Sequence, residues 1–295
     1  MRRAAFVACT LAAALAAAVA SWARGQEQRP VFRSRASVVL VDVLVRDGNR
    51  VVQGLTKEDF QVFDAGVPQR IDELLGEQLP VDLTILLDAS GSTARAIDRF
   101  ETSAAEIAAM LRPDDRVRIT AFATGIADVV PLTSSHPVFA IAPLGATTSL
   151  HDALLLTLAR RQHPGRRHLV VAYTDGEDTS SVLDRPAVNA VARRSESVLH
   201  LVLSAGAGQT APRPEHIRIL RQAAEATGGG VSTRFRDAVD TLKQVFADFR
   251  ESHVLRYTPT DVKAGGWHEI TVRLRRADAQ RFTLRARKGY AGGPE

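Results

Sequence analysis

The sequence runs to 295 residues, 45% of them apolar, with a formal net charge of +5. That length and composition suit one large α/β domain with a smaller partner and exclude a disordered chain. The basicity is mild and comes without Lys/Arg clusters interleaved with aromatics, which make up only 5% of the residues, so nucleic acid is excluded as a partner.

Residues 1–25 read as a cleavable secretory signal. Arg2 and Arg3 supply the positive end, Phe6 to Ala20 an Ala-rich apolar run, and Ala18-Val19-Ala20 or Ser21-Trp22-Ala23 a small-residue cleavage site. The expected destination is the periplasm or the outside of the cell. The apolar run falls short of the roughly 20 residues that span a bilayer, and no later stretch does better, so no transmembrane segment is expected after cleavage. The single cysteine, Cys9, lies at the front of this run and not at its end, where a lipid-modified cysteine would sit. The mature chain therefore has no disulfide, no thiolate zinc site and no cysteine nucleophile.

Residues 31–78 are predicted to be β-rich. Val38 to Val45 are mostly β-formers, Asp47-Gly48-Asn49 make a turn and Val51-Val52 resume, which reads as a hairpin. Thr56 opens a short helix with Asp59 three residues on. Gln61 to Phe63, Ala65-Gly66 and Val67 to Ile71 suggest a second hairpin.

Residues 79–251 change rhythm. Short apolar runs at Val81 to Leu87, Arg116 to Ala123, Ile126 to Leu132, His168 to Thr174, Val198 to Leu203 and Val231 to Phe235 read as strands. They alternate with helices near 95–111, 150–162, 185–195, 214–227 and 237–251, Pro186 and Pro214 suiting first turns. The alternation predicts a doubly wound, Rossmann-like, mostly parallel sheet covered by helices on both faces.

Residues 252–291 return to strands at Val254 to Tyr257, Glu269 to Leu274 and Arg281 to Arg287. Val272 and Leu274 alternate with Thr271, Arg273 and Arg275, giving an apolar face and a basic one; charge on such an edge commonly blocks aggregation, and a docking surface is the other reading. Neither flanking segment is large enough to bury a core alone. They are predicted to pair with each other as a smaller β-sandwich into which the α/β domain is inserted.

The chemistry gathers where strands end. The run Val81 to Leu87 delivers Asp88-Ala89-Ser90-Gly91-Ser92 into a loop before a helix, and alternate residues of an extended segment face one side, so Asp88, Ser90 and Ser92 can converge while Gly91 permits the bend. The strand His168 to Thr174 ends in Asp175-Gly176-Glu177-Asp178, again a carboxylate entering a Gly turn. In an open parallel sheet, ligands bind where the strand order reverses, and these two strands are expected to be neighbours there. Carboxylates with hydroxyls, free of nitrogen and sulfur, favour Mg²⁺, Mn²⁺ or Ca²⁺ over Zn²⁺ or copper.

On these residues the sequence resembles the von Willebrand factor type A family, whose metal-ion-dependent adhesion site (MIDAS) reads D-x-S-x-S, then a distant Thr, then an Asp in a T-D-G turn. Asp88, Ser90, Ser92 and Thr174-Asp175-Gly176 match it. The distant Thr usually sits in a Gly-Gly-Thr turn before L-x-D-A. Here Ala146-Thr147-Thr148 precede Leu150-His151-Asp152-Ala153, so Thr148 fits the register, both Gly positions are replaced, and Thr147 stays open as the alternative ligand. The resemblance covers residues 80 to about 250, and the flanks resemble bacterial secreted proteins related to that family. It implies one Mg²⁺-like ion held by Asp88, Ser90, Ser92, Thr148 and Asp175, with a coordination position left for an Asp or Glu side chain of a partner protein. The same follows from the inventory, since an ion facing two carboxylates and neutral hydroxyls stays electron-poor.

The expected function is thus an exported binding module and not an enzyme. A metal-assisted hydrolase is the alternative, with Glu177, Asp178 and His151 as the neighbouring acid–base groups; a structural module with the ion as a staple is another. A serine hydrolase lacks a G-x-S-x-G elbow, and a dinucleotide loop at Gly206 to Ala211 is interrupted by Pro212 and Pro214.

Overall fold

The computed structural model describes residues 38–292 apart from Glu77, 91–92, 94–100, 102–105, 107–108, 135–139, 143, 204–212 and 234–237. The proposed leader, Ser92, most of the 95–111 helix and the Gly206 to Ala211 loop therefore lie outside the described residues. Among those that are described, no helix is long and apolar enough to cross a membrane.

The first segment supplies β1 (Val39–Asp47), β2 (Arg50–Val51), a 3₁₀ turn at Lys57–Asp59, β3 (Phe60–Asp64), β4 (Val67–Gln69) and β5 (Ile71–Leu75). The turn starts as expected: Asp59 Oδ2 accepts from the Thr56 amide at 2.8 Å and from its hydroxyl at 3.0 Å. Ala65 and Gly66 both take positive φ, 47° and 83°, which closes the β3–β4 hairpin with the twist its strands need. The expectation of one strand through Ile71 needs correction. Its arm stops at Gln69, whose side chain holds Thr260, and Ile71–Leu75 leaves to pair with a later strand in a different sheet.

The middle segment supplies β6 (Val81–Asp88), β7 (Arg116–Phe122), β8 (Ile126–Thr133), α1 (Leu150–Leu158), β9 (Arg167–Thr174), α2 (Arg185–Arg194), β10 (Val198–Leu203), α3 (Pro214–Ala226), β11 (Gly230–Ser232) and α4 (Ala238–Glu251). The sheet order is β11-β10-β9-β6-β7-β8. All pairs are parallel except β7–β8, so the sheet is mixed. The antiparallel pair follows from its connection, Ala123 to Gly125, which is too short for a crossover. The chain winds outward through β7 and β8 and returns at β9 on the other side of β6, so the order reverses between β6 and β9, as the strand endings led one to expect.

Both faces of this sheet are covered. Leu83, Ile85 and Leu87 point into a cluster with Leu242, Val245, Phe246 and Phe249 of α4. Leu86, Phe122, Val170 and Leu201 face the other way, onto Leu154, Val188 and Leu220 of α1, α2 and α3. The two-residue period of the strands thus sorts their side chains between two cores. Asp184 caps α2 by accepting from the Ala187 amide at 3.0 Å, with Pro186 in its first turn.

The last segment supplies β12 (His253–Tyr257), β13 (Trp267–Leu274), a 3₁₀ turn at Ala279–Arg281, β14 (Thr283–Ala286) and β15 (Gly289–Ala291). The strand expected from Arg281 starts two residues later, because residues 278–281 close a tight turn, and β15 was not expected. Strands from the two ends of the chain are hydrogen-bonded to one another. One sheet runs β14-β1-β12-β5 with β2 beside β1, the other β15-β13-β3-β4. Val41, Val43, Phe60, Val62, Leu255 and Tyr257 share one core between them.

At the amino-terminal edge of the α/β sheet one ion pair reaches across to the terminal strands and others tie the sheet's own elements together. Arg167, at the start of β9, donates to Asp42 Oδ1 of β1 at 2.5 and 2.8 Å and to Ser252 Oγ at 2.6 Å, its guanidinium lying 4.0 Å over the Phe249 ring. Arg250 pairs with the fully buried Asp115, which also accepts from the Val81 amide at 2.8 Å. Asp82 takes Arg116 and Arg166, which hold its carboxyl below the ordinary value even though burial, the largest influence, pushes the other way.

Candidate metal centre

At the opposite, carboxyl-terminal edge, β6 ends in Asp88, which is 2% exposed. Its Oδ1 accepts from the Ser90 amide at 3.0 Å and its Oδ2 from Thr174 Oγ1 at 2.8 Å. Thr93 Oγ1 also lies 3.4 Å from Oδ1, so Oδ2, with two lone pairs and the Thr174 hydroxyl on one of them, keeps the clearer acceptor capacity toward a cation. Thr93 pins the loop: its hydroxyl donates to the Asp88 carbonyl at 2.5 Å, and its amide to the Ser90 carbonyl at 3.1 Å.

β9 ends in Thr174, and Asp175 follows, 4% exposed. Gly176 turns the chain at φ 84°, in the left-handed region. Its amide donates to Thr174 Oγ1 at 3.0 Å, and the Glu177 amide donates to Asp175 Oδ1 at 3.0 Å. Burial above all raises Asp88 above the ordinary aspartate value; hydrogen bonds from Ser90 and Thr174 oppose this, and the neighbouring Asp175 charge adds to it. Two buried carboxylates thus sit close enough to repel, an arrangement that a cation would relieve.

The remaining loop carries Thr148. Gly145 takes φ +122°, and a Cβ there would lie 2.2 Å from Thr124 Oγ1, so this position needs glycine. The bend that the family pattern puts two residues before its Thr is therefore made one residue earlier, which explains how Ala146 and Thr147 are tolerated. Thr147 is exposed, its hydroxyl 2.8 Å from that of Thr124. Thr148 is buried at 6% exposure and lies against the Asp175 loop: its amide donates to Thr179 Oγ1 at 2.9 Å, and its carbonyl accepts from the amides of Thr179 and Ser180 at 2.8 and 3.1 Å.

That contact continues as a ladder. Ser149 Oγ meets Ser180 Oγ at 2.9 Å, Asp178 receives the His151 amide at 3.2 Å and lies 3.0 Å from its ring, and Asp152 accepts from the amides of Val182 and Leu183, both at 2.9 Å. The end of β7 closes the circuit: Phe122 and Ala123 present successive carbonyls, one to the Ala89 amide at 2.7 Å and the other to the Ser149 amide at 2.9 Å. The Asp88 loop is thereby tied to the Thr148 loop through β7, the Thr148 loop to the Asp175 loop through the ladder, and the Asp175 loop back to Asp88 through Thr174.

Of the five residues expected as ligands, Asp88, Ser90 and Asp175 lie together, and Thr148 is bonded to the Asp175 loop; Ser92 falls outside the described residues. Thr174, Thr93 and Asp152 were not singled out as site residues in the sequence. Thr174 was visible only as the first letter of T-D-G, and a hydroxyl closing a buried strand beside an expected carboxylate was the signal. Among the described residues no group of three His, Cys, Asp or Glu is placed to hold a metal, so a cation here would rest on two carboxylates and hydroxyls. That donor set fits a hard ion.

No family model matches the sequence, and neither does any curated protein. Solved structures do match. VWA2, the ArnB paralog of Sulfolobus acidocaldarius, is 10% identical, with 85% of this chain and 75% of that one covered at a TM-score of 0.48. BatB of Bacteroides thetaiotaomicron is 15% identical, with 57% and 98% covered at 0.43. Proximal thread matrix protein 1 of the mussel byssus, solved with a zinc-occupied MIDAS motif, is 14% identical, with 58% and 48% covered at 0.42. These are von Willebrand A-type domains, and this chain is similar to them.

Proposed function

We propose that this protein is an exported, metal-dependent protein-binding module and not an enzyme. Asp88, Ser90, Ser92, Thr148 and Asp175 would hold one Mg²⁺, Mn²⁺ or Ca²⁺ ion, which supplies a Lewis-acidic position for an Asp or Glu carboxylate of the partner. The observation that carries this reading is the pair of buried carboxylates, Asp88 and Asp175, at the reversal point of the sheet, set among hydroxyls. The chain's own groups do the rest. Thr174 and the Ser90 amide orient Asp88, the hydrogen-bond ladder holds Thr148 against the Asp175 loop, and neutral hydroxyls leave the ion short of negative charge. His151, the nearest candidate for proton transfer, is tied to Asp178 within that ladder.

In the same reading, residues 1–25 are removed on export to the periplasm or beyond. Residues 31–78 and 252–291 form one β-sandwich, into which the α/β domain of residues 79–251 is inserted.

Calorimetric titration with MgCl₂, MnCl₂, CaCl₂ and ZnCl₂ tests the site. One equivalent of a hard cation taken up by the wild type and lost in Asp175→Ala supports it; no uptake of any ion overturns it. Pull-down from an envelope or secreted fraction tests the partner: capture abolished by EDTA and by Asp88→Ala supports recognition through the ion. Chelation that lowers thermal stability but leaves capture intact makes the ion a staple and puts recognition elsewhere.

A further inference from the structure

Away from the metal loops, a cavity of about 660 Å³ opens between α4 and the strands β1, β10 and β14. Leu44 and Val245 give it an apolar wall; Arg46, His200, Asp248 and Arg285 give it charge and polarity. Two arginines, Arg46 and Arg285, face two aspartates, Asp240 and Asp248, but the pairing among them is uneven. Asp248 pairs directly with Arg46 through Oδ2, its Oδ1 accepts from Gln244 Nε2 at 2.9 Å, and it reaches Arg285 only as a more distant charge. Asp240, at the rim, lies 3.6 Å from Lys243 Nζ.

Arg285 has no carboxylate in contact among the described residues, and its Nε is buried without a hydrogen-bond partner. Burial, followed by the charge of Arg46, lowers its proton affinity, the more weakly acting charge of Asp248 opposes them, and a guanidinium stays charged at any physiological pH. His200 is 8% exposed and has no hydrogen bond to either ring nitrogen among the described residues. Burial first, then the charges of Arg285 and Arg46, push its pKa down to about 3, so the ring is neutral and offers one N–H donor. Arg285 and His200 meet over Gly230, where a Cβ would lie 2.6 Å from Arg285 Nη1 and 3.5 Å from His200 Cε1. The missing side chain is what lets both groups line the space.

A part-buried guanidinium with an unbonded buried Nε and, among the described residues, no carboxylate in direct contact is costly, and an anion from outside would supply the missing partner. The volume lies within the roughly 300–1,000 Å³ of small-molecule sites and far exceeds a bare inorganic anion. We propose that this cavity binds a small organic anion whose carboxylate or phosphate head sits between Arg46 and Arg285, with His200 as a third polar contact and its body against Leu44 and Val245. This site is independent of the metal centre, which lies on loops that contribute none of these residues.

The test is calorimetry on the purified protein, dialysed free of metal and chelator, with succinate, glucose 6-phosphate and inorganic phosphate as probes. Saturable binding of succinate or glucose 6-phosphate is expected, the stronger of the two identifying the head group, with inorganic phosphate weaker than glucose 6-phosphate. Arg285→Gln removes a charge-assisted contact and should weaken binding roughly 10- to 100-fold. Asp248→Asn releases Arg46 to the ligand and should tighten binding several-fold. No saturation by any probe up to about 10 mM, or equal affinity in Arg285→Gln, overturns the proposal. Should Arg285→Gln fail to fold, Asp248→Asn decides: unchanged or weaker binding overturns it.

Discussion

Replacing Asp88 by asparagine separates the stability of the metal-free loops from the stability that a bound ion would add. The substitution keeps the shape and one acceptor oxygen but removes the charge. In the metal-free protein two opposed terms follow. One of the donors that now serve the Asp88 carboxylate, among them the Ser90 amide and Thr174 Oγ1, would meet an amide NH₂ group and lose its acceptor, at a cost of about 1 kcal/mol. Against this, the cost of keeping a buried carboxylate charged, the largest influence on Asp88, disappears together with the smaller repulsion from Asp175, a relief of about 3 kcal/mol. Relief wins by roughly 1–2 kcal/mol, which raises the melting temperature of a chain this size by about 2–6 °C. With divalent ion at about 100 times its dissociation constant the wild type gains about 2.7 kcal/mol that the variant cannot, and the order reverses. Differential scanning fluorimetry in EDTA and in millimolar Mg²⁺ reads both halves. An Asp88→Asn variant that melts lower than wild type in EDTA, or that is stabilised by Mg²⁺ as much as wild type, refutes the reasoning.

The remaining expectations are independent of one another. Asp152→Ala removes both acceptors for the Val182 and Leu183 amides, so these amides should exchange with solvent at least several-fold faster while global stability drops by only about 1 kcal/mol; unchanged exchange would mean that something else holds the loop. Asp64 is fully buried and accepts from Tyr257 at 3.0 Å, Tyr290 at 2.7 Å and the His268 ring at 2.8 Å. Asp64→Ala strands all three, and urea denaturation should show a loss of about 3–5 kcal/mol; a loss under about 1 kcal/mol would show the cluster to be dispensable. Acid should destabilise the fold through His200. Its folded pKa of about 3 lies below the unfolded value of 6.5, so between those limits only the unfolded chain takes up the proton. The contribution is complete above pH 6.5 and declines as pH falls toward 3, by about 2 kcal/mol at a pH of about 5. His200→Gln should flatten that decline, leaving the smaller slope of His168 and His253, which burial also lowers; an unchanged profile would exclude His200 as the cause.

The α/β segment was legible because each of its strands is a short apolar run closed by a turn, and because Asp88 and Asp175 both leave such runs. Periodicity and strand endings are local signals, and locality is what a sequence displays. The reversal point followed from one general rule, which the β6–β9 pairing obeys. What stayed hidden is bonded across long separations. Asp64 meets Tyr257, His268 and Tyr290 from 193, 204 and 226 positions away, and no pattern in any one stretch announces it. Thr148 was favoured over Thr147 by register alone; the structure buries the first and leaves the second exposed against Thr124. β15 is three residues long, too short for an alternation to register.

The placement of the ion pairs bears on how such a protein can change. β6 is eight residues long, about 23 Å of extended chain. Asp88 stands at one tip of it, and Asp82 and the Arg167 bridge to Asp42 belong to the other. The intervening sheet is packed on both faces and transmits little bending. Mount and working edge are therefore mechanically and genetically separable, as a chuck is from its bit. In the proposed reading, substitutions at exposed loop positions such as Val182 would change what the molecule recognises and leave the Arg167–Asp42 pair at the far edge undisturbed.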